Sequence, residues 1–376
     1  MTMPNILYNG PGNWPDADKL MANYNYLENI ATAYTTLRNR IINGDMRIDQ
    51  RNEGASLTQT TGNLYPVDRW RIYGSVASKF TAQRNYGVTP PVGFSHHLGV
   101  NSLSAYSVGT SEAFTITHAI EGFNVTDLAW GTVYAKTVTL SFWFRSNMSG
   151  GSVFGGSLQN SAGTRSYPFT FSSITTSTWE YKTITIPGDQ AGTWLTDNGA
   201  GIVLRLGLGV GTSLSGTAGA WAAADYRSAT GATSIVGTNA ATYYITGVQL
   251  EVGTVATPFE LLPMATELEL CQRYFEKSYD QGTSVGTATT TGSIAFRSNG
   301  TSHLHPISLS ITKRAQPTVT LYNTSTGGTG SWRDTDNSAN RTASADYIGF
   351  SNFRVALVST VDTASMAGHY TAEAEL

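Results

Sequence analysis

The chain has 376 residues, 40% of them hydrophobic, so it can bury a sizeable core and has room for two or three domains; an intrinsically disordered chain is excluded. Only 13% of residues are charged, the formal net charge is −3, and no run of Lys or Arg occurs, which excludes the electrostatic footprint of a nucleic-acid-binding protein. A single cysteine, Cys271, excludes an intrachain disulfide, and 39 glycines among recurring Ser/Thr/Asn-rich stretches favour an all-β architecture of short strands and turns.

Residues 1–15 are rich in proline and glycine and read as an irregular arm. No basic start followed by an apolar run occurs there, and no stretch reaches the length of a membrane span, so neither a secretion signal nor membrane insertion is expected. From Asp16 the pattern changes. Leu20, Asn23, Leu27, Ile30, Tyr34, Leu37 and Ile41 recur at alternating spacings of three and four, the seam of a coiled coil, with Asn23 setting its register and Asn43-Gly44 stopping it. The same spacing fits an amphipathic helix lying on its own domain.

Residues 44–262 carry strand-like runs separated by turn signals, as in a two-sheet sandwich. In KTVTLSFWFR, from Lys136 to Arg145, the residues Val138, Leu140, Phe142 and Phe144 form one face, while Trp143 and Arg145 share the other with Thr139 and Ser141. WEYKTITIP sets Lys182, Ile184 and Ile186 against Trp179, Tyr181, Thr183 and Thr185. IVLRLGLGV points Ile202, Leu204, Leu206 and Leu208 inward and Arg205, Gly207 and Gly209 outward, where the glycines leave room for another layer. Gly150–Ser166 and Thr212–Thr242 read as long loops. No internal repeat of solenoid or β-helix period is present.

A hinge is expected between Thr246 and Tyr279. Val248, Leu250 and Val252 alternate with Gln249 and Glu251 in a half-buried strand that ends at Gly253 and Pro258; from Pro263 a short helix follows, with Leu268, Cys271, Tyr274 and Phe275 inward and Glu267, Glu269, Arg273 and Lys277 outward. Residues 263–376 then read as this helix and a small β domain, with strands at Ser293–Phe296, Pro306–Thr312, Thr318–Tyr322 and Phe353–Val358.

No HExxH or GxSxG pattern occurs, and Asp45, Asp49, Glu53 and Asp68 sit where carboxylates commonly serve turns, so no catalytic residue is assigned. His303 and His305 in TSHLHP would share one face of a strand, and three copies around an axis would offer six nitrogens to an iron; the commoner case is two hydrogen-bonded histidines at a strand end, and no metal is assigned. Trp143, Trp179, Trp194 and Trp221, with Tyr181 and Tyr226, are candidates for stacking on sugar rings, and Arg145 stands beside them.

GVQLEVG with PFE and LELCQRYFEKSY, together with RNRIINGDMRIDQRNEGAS and VDRW between 38 and 70 and the terminal HYTAEAEL, resembles the corresponding stretches of bacteriophage tail-fibre and related receptor-binding proteins. The resemblance implies three parts: an attachment arm and trimerising helix over 1–43, a jelly-roll sandwich like carbohydrate-binding modules over 44–262, and a β tip over 263–376. It also implies a homotrimer in the virion tail, made in the host cytoplasm, that contacts other tail or baseplate proteins through its arm and adheres to host surface polysaccharide or lipopolysaccharide. A capsid decoration protein and a polysaccharide depolymerase are the alternatives. Related sandwiches often carry an aspartate and calcium where this chain has Thr246-Gly247, and no cofactor is expected.

Overall fold

A computed structural model describes residues 37–299, 302–358 and 363–376. The inward side chains of the alternating runs named above close two antiparallel sheets of six strands on one another. The first sheet contains β1 (Leu57–Thr58), β4 (Phe80–Arg84), β5 (Leu98–Ser102), β14 (Thr242–Val252), β7 (Val138–Arg145) and β10 (Glu180–Ile186), in that spatial order. The second contains β2 (Leu64–Val67), β3 (Trp70–Gly74), β6 (Ala113–Glu121), β11 (Ala200–Val210), β8 (Val153–Gln159) and β9 (Ser166–Ser172). Val138, Leu140, Phe142 and Phe144 from one sheet meet Ile116, Leu204, Leu206 and Phe154 from the other in one core. Each such side chain contributes roughly 1.5–3 kcal/mol by leaving water.

Several positions depart from the sequence reading. Leu20, Asn23, Leu27, Ile30 and Tyr34 of the expected coiled-coil seam lie outside the described residues. Leu37 and Ile41 are described, and neither is helical: Leu37 is 58% exposed with φ +61°, while Ile41 is buried in the sandwich core. The reason is the neighbouring β14. Arg40 N–H donates to Leu250 O at 2.9 Å, and the Asn39 amide bridges Val248 O and Leu250 N–H, so this stretch runs extended against the sheet. Asn43 is no helix stop either; its buried amide donates to Ile48 O and Asp68 O.

The expected loop at 150–166 contains β8. Its glycines are strand positions under crowding: a Cβ on Gly155 would stand 2.4 Å from Ser228 Oγ, and one on Gly156 2.5 Å from Arg205 O and from the Phe169 ring. Over Gly155 and Gly207 lies the 212–241 segment, which contributes a two-residue parallel pair, β12 (Ser215–Gly216) and β13 (Ser228–Ala229). The layer that the glycine face of β11 admits is therefore part of the same chain.

Gln249 and Glu251 are buried rather than outward-facing, because the chain folds back over them. Thr257 N–H and Oγ donate to Glu251, Glu260 N–H donates to Gln249 Oε1, and Arg38 approaches Glu251 from the arm side. Helix α1 (Met264–Gln272) forms as expected, but Glu267 faces inward to accept Asn43 N–H. Phe275 and Lys277 belong to β15 (Phe275–Lys277), where the Lys277 ammonium is buried between Glu53 and Thr283 O.

The remaining strands are β16 (Ile294–Asn299), β17 (Ser302–Ser308), β18 (Thr318–Asn323), β19 (Ser331–Asp334), β20 (Ala339–Asp346), β21 (Asn352–Val358) and β22 (Thr363–Glu373). β22 is the centre of this sheet: β16 and β19 pair with its first half, β15 and β18 with its second. A second core gathers here around Trp332, Phe353, Val355, Leu357 and Met366. Between the two cores Ile42, Ile48, Cys271 and Tyr274 form a small third cluster, ringed by charge. Arg51 reaches Asp68 at 3.4 Å and Glu375 at 3.0 Å while lying over the Phe275 ring; Arg69 pairs with Glu375 and lies over Tyr274; Arg273 and the Tyr274 hydroxyl both donate to Glu121. Such pairs hold only as complete networks, since a lone buried charge is costly.

Candidate functional site

Strand β7 sits between β10 and β14, so alternation presents Trp143 and Arg145 on the outer face of the first sheet. The register puts Tyr181 and Thr246 on either side of Trp143, and Tyr244 beside Arg145. Glu180 pairs with Phe144, which brings the preceding Trp179 to the other flank of Arg145. Trp143 and Tyr181 have ring centroids 5.5 Å apart, tilted at 51°. Tyr181 is 42% exposed, and Thr183 and Thr185 continue its face outward into solvent.

A bulge in the β14–β7 pairing between Thr246 and Gln249 extends this surface. Gly247 there adopts φ +61°, and a Cβ on it would stand 2.6 Å from the Phe94 ring and 3.3 Å from Trp143. Phe94 thus closes over the glycine beside Trp143 and packs edge-on against Phe259 at 5.3 Å. Phe259, Phe94, Trp143 and Tyr181 form a continuous, half-buried to exposed aromatic row.

Beside the row, Trp179, Tyr244, His97 and Tyr86 pack on one another, with Trp179 anchored by its indole N–H on Thr89 O at 2.8 Å. His97 is fully buried; its Nε2–H donates to Tyr86 O, its Nδ1 has no partner, and burial lowers its pKa to about 4, so the ring is neutral. The cation of this face is Arg145, which makes no hydrogen bond or ion pair with the described residues. Its donors are available to a ligand, and the arrangement offers flat apolar surfaces next to hydroxyls and one guanidinium.

Trp194 and Trp221 do not join this face. With Trp130 and Tyr167 they form a separate cluster, ring centroids 4.7–5.5 Å apart, and all three indole N–H groups are spent on backbone carbonyls of Lys136, Ala191 and Pro187. The cavity beside them holds about 30 Å³, far too little for a sugar ring. Tyr226 packs on Gly216, away from both groups.

His305 stacks flat on Phe296 at 4.2 Å, and the side chain of His303 lies outside the described residues. Among the described residues no group of three or more His, Cys, Asp and Glu is placed to hold a metal. Asp45 pairs with Arg47, Asp49 accepts from Asn52 and Gly54 N–H, and Asp68 accepts from Gln50; these are turn and junction roles. Phe94, Phe259, Tyr244 and His97 were not singled out from the sequence. The one local signal was Gly247, a glycine inside an otherwise regular strand.

No protein-family model matches the chain, and no curated protein matches it in sequence. Among solved structures it is similar to the enzymatically active domain of tailspike protein 4 of bacteriophage CBA120, with 10% identity over 57% of this chain and 22% of that one and a TM-score of 0.30. It is similar to the carbohydrate-binding module TmCBM61 in complex with beta-1,4-galactotriose, with 11% identity over 49% and 88% of the two chains and a TM-score of 0.25. It is also similar to the family 11 carbohydrate-binding module of Clostridium thermocellum in complex with a mixed-linked tetrasaccharide, with 10% identity over 54% and 98% and a TM-score of 0.28. Likenesses this distant decide neither activity nor ligand.

Proposed function

We propose that this chain is a non-enzymatic adhesion protein that binds surface polysaccharide or lipopolysaccharide on the outer face of its first sheet, as the receptor-binding part of a homotrimeric bacteriophage tail fibre. The observation that carries the binding reading is the aromatic row of Phe94, Trp143 and Tyr181, with Arg145 beside it making no hydrogen bond or ion pair among the described residues. A pyranose presents an apolar face to an aromatic ring and hydroxyls at its rim, and Arg145, Thr183 and Thr185 stand at the rim of this row. The row is open rather than enclosed, which suits an extended chain bound weakly at each site; three sites on one fibre convert weak contacts into durable attachment.

The test is retention on host surface polysaccharide by affinity electrophoresis, comparing the full chain with Trp143→Ala and Tyr181→Ala. We expect each substitution to weaken binding about ten-fold or more, in line with roughly 1–3 kcal/mol for a buried stacking contact, with little change in melting temperature because both rings are only partly buried. Unchanged retention by both variants would remove this face from the binding surface.

A further inference from the structure

The second sheet carries a different chemistry on its outer face. Arg71 of β3 stands opposite Thr117 of β6, Thr117 stands opposite Arg205 of β11, and Ser157 of β8 continues the row beyond Arg205. Strands lie about 4.8 Å apart, so Arg71 and Arg205 are anchored about 10 Å from each other, a span that two guanidiniums close over Thr117. Arg227, from the segment layered on this sheet, adds a third guanidinium.

Among the described residues one carboxylate stands within this group of cations. Asp225 binds Arg227 at 2.7 Å and Gln159 Nε2 at 2.9 Å, and the Gln159 oxygen accepts from Arg205 Nε. Glu375, which lines a small cavity with Arg71 and Thr117, is taken by Arg51 and Arg69. Arg71 makes no hydrogen bond or ion pair with the described residues, and its buried Nε has no partner. Ser157 is fully buried, yet its Oγ has no partner either. Desolvation, then the charges of Arg227 and Arg71, lowers the pKa of Arg205 to about 10. Three guanidiniums held close together with one carboxylate among them repel one another, and a further anion between Arg71 and Arg205 relieves that cost.

We propose that this face is an oxyanion site in which Arg71 and Arg205 clamp a carboxylate or phosphate group of an acidic glycan over Thr117, with the Ser157 hydroxyl as a further donor. Guanidinium groups bind such groups by paired, charge-assisted hydrogen bonds, which a neutral sugar cannot replace. The site lies on the sheet opposite the aromatic row and does not depend on that row binding sugar.

The experiment is isothermal titration calorimetry of the full chain with three probes: a galacturonate oligosaccharide, the same oligosaccharide fully methyl-esterified, and inorganic phosphate. The expected result is binding of at least one charged probe, a ten-fold or greater loss of that binding in Arg71→Gln, no Arg71-dependent binding of the ester, and no change in Tyr347→Ala, an exposed position between β20 and β21. Preference for the oligosaccharide over phosphate assigns the group to a sugar carboxylate; the reverse assigns it to a phosphate ester. Arg205→Lys keeps the charge but not the fork, and a matching loss there supports the clamp even if Arg71→Gln fails to fold. Failure of both charged probes to bind wild type, or wild-type affinity in both arginine variants, overturns the site. Binding of host polysaccharide that depends on Trp143 alone would overturn this inference and leave the aromatic row standing.

Discussion

Asp68 shows at the residue scale how burial and pairing compete. Its carboxylate is enclosed and faces Arg51 at 3.4 Å and the Gln50 amide at 2.6 Å, yet desolvation outweighs these contacts and raises its pKa to about 6. Arg51 gains from the same neighbourhood because Glu375 and Glu373 also face it. A carboxylate raised in the folded state binds its proton there more tightly than in the unfolded chain, where it titrates near 3.8. Its contribution is therefore fully present below the unfolded pKa and is lost as pH rises through about 6, with a size on the order of 2–3 kcal/mol. Glu121 and Glu276 work in the opposite direction: held below their usual range against burial, chiefly by Arg273 and Lys313, they lend stability above that range and withdraw it as pH falls through it. The melting temperature of wild type minus that of Asp68→Asn should grow as pH is lowered from 7.5 to 5. A constant difference across that range would show that Asp68 titrates normally.

At the scale of elements, alternation was legible wherever side chains alone set the face. β7, β10 and β11 follow the pattern of their apolar residues, since a period of two places every second side chain in the core. β8 was not legible, because a glycine has no side chain with which to declare a face, and Gly155 and Gly156 are needed for what comes near them. Gln249 and Glu251 misled for a related reason: polar residues read as solvent-facing unless a later segment supplies their hydrogen bonds, and 257–260 does so. Gly207 tests the layered segment. A Cβ there would meet Ser228 Oγ at 2.8 Å, so Gly207→Val should displace β13 and cost about 1–3 kcal/mol. Urea unfolding would register it as a lower midpoint with an unchanged slope; an unchanged midpoint would show that the layer yields freely.

For the whole molecule, three stretches far apart in sequence converge on one place. Arg51 and Arg69 come from the 38–70 region, Tyr274 and Phe275 from the stretch after α1, and Glu373 and Glu375 from the terminal one; together they build the charged junction between the two cores. These three stretches thus build an assembly of the chain with itself, while Gly247 of GVQLEVG and Phe259 of PFE take part in the aromatic row. Oligomeric state follows at this scale. The proposed fibre requires a trimer, and light scattering on the full chain and on one beginning at Arg38, which keeps the contacts of residues 38–41 with β14, should give a trimer for the first. A trimer that becomes a monomer on truncation assigns assembly to the first 37 residues. A monomer in both overturns the fibre.

By itself the sequence determined the all-β character, the inward faces of the central strands, the hinge helix and the candidacy of Trp143, Arg145, Trp179 and Tyr181, since composition and short-range periodicity decide these before any long-range contact forms. Tertiary structure alone decided which aromatics share a surface. Trp194 and Trp221 turned to each other and to Trp130, Phe94 and Phe259 were brought together beside the Gly247 bulge, and Arg71 and Arg205 were set on either side of Thr117 of β6. Strand register and loop docking carry that information, and both join residues tens to hundreds of positions apart.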